Sequence, residues 1–325
     1  MGEKKSKASA PTPSESTVES SPTTKTVSTS MTGFAAQARK NGILGPLDCK
    51  PPVNLVDIRE RHIRSRGTPS PTESMYQNYV EGITTAPNEM GVTVEVGRQL
   101  LKSYPGERYN QAFNKAFTGF PKNAGVNNGL SAPQPDFVEG LGVDEFRPLP
   151  IEDCVDGAVL YKDNPDSITL PHLAGEFKGP GKNMMHAKLQ SAYDGAALVH
   201  GRNRALDSLG EPSTAGHAKV TTFTTDGTNL NLFAHYATPS EDGATKYHQY
   251  PINSTILTNS LQDFRQGYRQ IRNAQDYARE ESYKLRDQLK EDWKAKRSQP
   301  APLPSIEDEP SRPRHSKASR SSKGE

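Results

Sequence analysis

The chain has 325 residues, of which 32% are hydrophobic and 7% aromatic, with a mean hydropathy of −0.78 and a formal net charge of +2. That is too little apolar material to pack every residue, which excludes a chain folded from end to end and favours one domain between tails. The basic surplus sits at the ends, +3 over residues 1–40 and +4 over 294–325, leaving about −5 between them, which counts against a simple nucleic-acid-coating surface.

Residues 1–74 read as a tail and linker, mostly disordered, because Ser, Thr, Pro and Lys dominate and almost no apolar side chain precedes Met31 and Phe34. Within it, Val53, Leu55, Val56 and Ile58 form a short stretch able to dock. From Met75 to Phe120 the apolar spacing predicts two helices broken near Pro105-Gly106.

Pro135 to Leu141 is strand-like, and Ile151 to Asp163 has the apolar intervals of an inserted helix. A turn at Asn164-Pro165-Asp166-Ser167 leads into an alternating strand, Ile168 to Lys178, which Gly179-Pro180-Gly181 ends. Residues 184–206 predict an Ala-rich helix packed closely on a sheet, with Leu189, Ala192, Tyr193, Ala196 and Val199 in its stripe.

Asp226-Gly227 between two β-branched and aromatic runs predicts a hairpin over 218–237, and a further extended piece follows at 247–256. A three-four repeat from Leu261 to Leu289 predicts a long amphipathic helix that closes a domain spanning 75–293. Residues 294–325 read as a disordered basic tail.

No stretch reaches the length of a membrane span, and no apolar leader opens the chain. With only Cys49 and Cys154 and no CxxC spacing, the expected setting is a reducing, intracellular one, nuclear or cytoplasmic, without a membrane. Lys4-Lys5-Ser6-Lys7 and the run from Arg312 to Lys317 are compatible with nuclear import or polyanion binding.

The chemistry centres on Glu176-Phe177-Lys178. Residues two apart on a strand share a face, so a carboxylate and an ammonium stand side by side while Phe177 enters the opposite layer. The same acid-x-Lys pattern occurs at Glu3-Lys5 and Asp292-Lys294, so the context singles out the middle copy: it ends a strand, a Pro-Asp strand precedes it, and an Ala-rich helix bearing Gln190 and Tyr193 follows. A same-face ion pair at a sheet end is the other reading of Glu176 and Lys178, and a strand-start residue after proline is that of Asp136.

The stretches PDFVEGL, LPHLAGEFKGPG, LQSAYDGA and YHQYPI resemble the PD-(D/E)XK nuclease-like superfamily and, within it, fungal domains of unassigned function; the likeness spans residues 75–290. It implies a small mixed β-sheet flanked by helices, a restriction-endonuclease-like α/β core. It further implies that Asp136 and Glu176 bind Mg²⁺, that Lys178 serves the nucleophilic water, and that Gln190 supports the site.

On that basis the expected function is a metal-dependent phosphodiesterase acting on DNA or RNA. The alternative is an inactive nuclease-fold binding module. About forty residues separate Asp136 from Glu176, so Asp156 stands in reserve as the acid that pairs with Glu176. His172 lies on the Glu176 face by simple alternation, and Arg265, Arg272, Arg279 and Arg286 form a stripe either for phosphates or for ion pairs within the last helix.

Overall fold

The computed structural model describes residues 26–162, 164–211, 214–241 and 243–298. Among them a six-stranded mixed sheet runs in chain order, β1 (Tyr109–Phe113), β2 (Phe137–Gly142), β3 (Ile168–Phe177), β4 (Val220–Thr225), β5 (Asn229–Pro239) and β6 (Thr245–Ile256). All neighbours are antiparallel except β3 and β4, which α6 (Met184–Leu209) joins as a crossover. A parallel pair needs such a connection, because the chain must return to the starting end of the sheet.

One face of the sheet is covered by α6 and by α1 (Phe34–Lys40), whose Phe34 and Ala38 pack with Val138, Ala174, Tyr193 and Ala196. The other face is covered by α3 (Glu73–Thr85), α4 (Glu89–Gln99) and α7 (Leu261–Ser298), around Tyr79, Val96, Phe137, Phe177, Phe223 and Phe264. Small residues bring α6 close to the strands: a Cβ on Gly195 would lie 2.2 Å from the His235 ring.

The segment expected to be a linker is instead part of the domain over the described residues. α1 is docked on the sheet, and α2 (Leu55–Ile63) buries Ile58 and His62 against α7. Asn54 exchanges two hydrogen bonds with the Ala218 backbone, and the Asn273 amide donates to the carbonyls of Arg61, His62 and Arg64. These pairings join residues about 160 and 210 positions apart, so composition gives no sign of them. The expectations for residues 1–25 and 299–325 lie outside the described residues.

Three further expectations change. The break between the first helices falls at Ala86-Pro87, where Asn88 caps α4 through the Gly91 amide, and Tyr109–Phe113 is a strand rather than helix. The inserted helix is a single turn, α5 (Ile151–Cys154), because Gly157 takes φ 78° and Val159 then bridges to Thr169.

The arginine stripe faces the protein. Arg265 donates to the Pro71 carbonyl, Arg272 to those of Leu100 and Leu101, Arg279 pairs with Glu107, and Arg286 with Glu145 and Asp287. α7 is thereby clamped along its length, and the stripe is committed to holding the fold rather than to phosphates.

Candidate active site

β2 and β3 pair with Phe137 opposite Gly175, which sets Asp136, just before β2, opposite Glu176. The Asp136 Oδ2 accepts a hydrogen bond of 2.8 Å from the Phe177 amide. Phe177 is fully buried and meets Phe223 edge to face at 5.7 Å, which fixes the end of β3 and so the two residues that flank it.

Lys178 bends back over this end. Its Nζ donates to the Phe177 carbonyl at 2.6 Å and stands 3.5 Å from Glu176, 3.8 Å from Asp136 and 3.9 Å from Glu89. Glu89 arrives from the first turn of α4, and the approach needs Gly179, where a Cβ would lie 2.9 Å from the Glu89 nitrogen. The long separation of Asp136 from Glu176 in sequence is taken up by the turn of α5 and by loops rather than by distance in space.

Asp194, on α6, adds a further carboxyl group, buried and near enough for its charge to act on Glu176. Burial, and then repulsion from Asp194 and Asp136, hold Glu176 well above the usual carboxylate range, with Lys178 opposing. Burial and the charge of Asp136 push Asp194 up to about 7. Asp136 is also raised by burial, although the Phe177 amide and Lys178 pull it down. Desolvation is the largest cause for both groups, and neighbouring buried carboxyls do not readily ionise together.

The Glu176 Oε1 and Asp194 Oδ2 are buried without a hydrogen-bond partner. Among the described residues no three His, Cys, Asp or Glu side chains converge in the geometry of a metal ligand set. The donors Asp136 and Glu176 nonetheless suit a hard divalent cation such as Mg²⁺, which is commonly held by one or two carboxylates with water and phosphate completing its shell. Beside Asp136 opens a cleft of about 330 Å³, lined by Glu89, Met90, Val94, Arg98, Phe113 and Asn114, on which Met90, Val94 and Phe113 are exposed.

The sequence-predicted residues therefore separate. Asp136, Glu176 and Lys178 come together; Gln190 lies one helical turn before Asp194, on the same side of α6, with its amide on Thr29 at 3.4 Å. Asp156 is in the loop after α5, in a separate cavity with Arg147, Glu152 and Lys162, and does not pair with Glu176.

His172 also leaves the Glu176 face. Between the pairs Glu139–Leu173 and Leu141–Thr169, residues Leu170, Pro171 and His172 stand against the single Gly140, so a bulge breaks the alternation. The His172 Nδ1 lies 3.1 Å from Ser282 on α7.

Asp194 and Glu89 were not read from the sequence. Asp194 had a signal, a lone acid within the otherwise small and apolar run from Ser191 to Val199; Glu89 looks like any first-turn acid of a helix.

The sequence profile of a family described as Domain of unknown function (DUF7924) matches residues 93–287, a span that holds β1 to β6, α6 and most of α7. No curated protein and no solved structure matches the chain.

Proposed function

The chain belongs to the DUF7924 family, and we propose that its domain is a Mg²⁺-dependent phosphodiesterase that cleaves DNA or RNA inside the cell, on a scaffold of the PD-(D/E)XK type. The observation that carries this reading is the position of Lys178, whose ammonium lies within 4 Å of both Asp136 and Glu176, acids that face each other across β2 and β3.

Phosphodiester hydrolysis needs charge neutralisation at the phosphoryl group, an activated water and groups that orient both. Asp136 and Glu176 are the residues that would hold a Mg²⁺ ion, which when bound supplies the Lewis acid for the phosphoryl oxygen. Glu176 binds a cation as the carboxylate, so its proton passes to Asp194 or to solvent first. Lys178, tethered by the Phe177 carbonyl, is placed to orient the attacking water and to balance charge that grows on the phosphate. The Phe177 amide holds Asp136 in position.

A second reading has its own observation. The Lys178 ammonium is already satisfied by a backbone carbonyl and neighbouring acids, as in a structural ion pair, which suits a silent nuclease-fold scaffold that binds a partner without turnover. Calorimetry with Mn²⁺ separates the two. The catalytic reading expects saturable binding that disappears in Glu176→Ala and Asp136→Asn; a folded wild-type protein without Mn²⁺ binding supports the silent scaffold.

A further inference from the structure

At the opposite end of β4 from the acidic cluster, α6, α7 and the segment entering the strand enclose a cavity of about 360 Å³. Its charged walls are Arg202 from α6, Glu211, His217 and Lys219 from the segment before β4, and Glu281 and Lys284 from α7, so cations and histidine outnumber the two acids. The volume falls at the lower end of the range for small-molecule sites.

The charges in this cavity are unevenly matched. Lys219 is paired with Glu281 at 3.1 Å, but Arg202 makes no hydrogen bond to any described residue, and its Nε is buried without a partner. The His217 Nδ1 is likewise buried and unpartnered. Lys284 stands exposed at the rim and pairs with no acid among the described residues. A buried guanidinium Nε and a buried ring nitrogen left unpaired are costly arrangements unless an acceptor meets them.

We propose that this cavity is a second binding site, for a phosphate monoester of mononucleotide size held by Arg202, His217 and Lys284. These donors come from separate elements, so they meet an anion from several directions, which suits a tetrahedral phosphate with several acceptor oxygens. Leu206, Tyr236 and Leu285 line the same cavity and offer apolar and aromatic surface to the organic part. The assignment is independent of the nuclease reading, since none of these residues belongs to the cluster around Glu176.

The test is calorimetry in EDTA with adenosine 5′-monophosphate and with inorganic phosphate, on the full chain and on Arg202→Met, Lys284→Ala and Lys178→Met. Saturable monophosphate binding that weakens tenfold or more in Arg202→Met and Lys284→Ala, and is unchanged in Lys178→Met, is the expected result. Lys284 is exposed, so its variant reports on binding even if Arg202→Met folds poorly. Absence of binding, or binding lost in Lys178→Met and kept in the other two, overturns the site. Inorganic phosphate binding as tightly as the monoester overturns the assignment of an organic ligand.

Discussion

Glu176 and Asp194, eighteen positions apart on β3 and α6, meet as two buried carboxyl groups, and the charge of Asp194 raises Glu176. The contact sets the charge that the candidate site presents at a given pH. Burial holds both carboxyls above the usual carboxylate range, Asp194 up to about 7, so a cation at this site competes with protons.

Replacing Asp194 with Asn removes the like charge beside Glu176, so Glu176 ionises at lower pH. The midpoint of the pH dependence of Mn²⁺ binding is expected to fall by about 1 pH unit. Titrations at a series of pH values check this; a midpoint unchanged or higher contradicts the repulsion of Glu176 by Asp194.

Lys178 and the acids have separable roles. Lys178→Met removes the ammonium that competes for Asp136 and Glu176, so Mn²⁺ binding is expected to persist or tighten while cleavage is lost. If binding and cleavage disappear together in a variant with a native circular dichroism spectrum, Lys178 holds the site together instead.

Glu139 gives a stability prediction away from the site. It is fully buried, accepts from the Gln111 and Gln275 amides, and is pushed up by burial to about 8. The folded state therefore keeps a proton that the unfolded chain releases near pH 4.5. The stabilising effect of that proton is full below about 4.5 and is lost as pH rises through about 8. Glu139→Gln does not titrate, so its melting temperature relative to wild type is expected to rise between pH 5 and pH 9. Parallel melting curves across that range count against a buried neutral Glu139.

Gly175 tests the packing that fixes β3. A Cβ there would lie 2.1 Å from the Phe223 ring, so Gly175→Ala forces that ring to move and is expected to destabilise by about 1–3 kcal/mol. Chemical denaturation measures it, and Phe223→Leu in the same chain should recover part of the loss through their contact. Full additivity of the two changes argues that the ring is free to shift.

The parts legible in the sequence were those whose signal is local. α6 carries a helical stripe, β3 is bounded by clear turn signals, and Asp226-Gly227 marks the β4–β5 turn, so the frame around Glu176 follows from spacing. β1 was missed because Tyr-Asn-Gln-Ala-Phe has no clear alternation and is stabilised by pairing with β2. α5 was overextended because its apolar spacing continues past the point where Gly157 turns the chain.

The site divides in the same way. Glu176 and Lys178 share one strand, and Asp136 was found through its own Pro-Asp strand, but Asp194 and Glu89 join them only through the packing of α6 and α4 on the sheet. His172 was misplaced because a bulge opposite Gly140 has no local mark that reveals its register.

The most direct measurement is cleavage of single- and double-stranded DNA and RNA by purified protein with Mg²⁺, Mn²⁺ or EDTA, beside Asp136→Asn, Glu176→Gln and Lys178→Met. A phosphodiesterase built on these residues cleaves at least one substrate with metal, stops in EDTA, and loses a hundredfold or more of its rate in each folded variant. Cleavage that survives all three substitutions, or no cleavage of any substrate by protein that binds Mn²⁺, contradicts it.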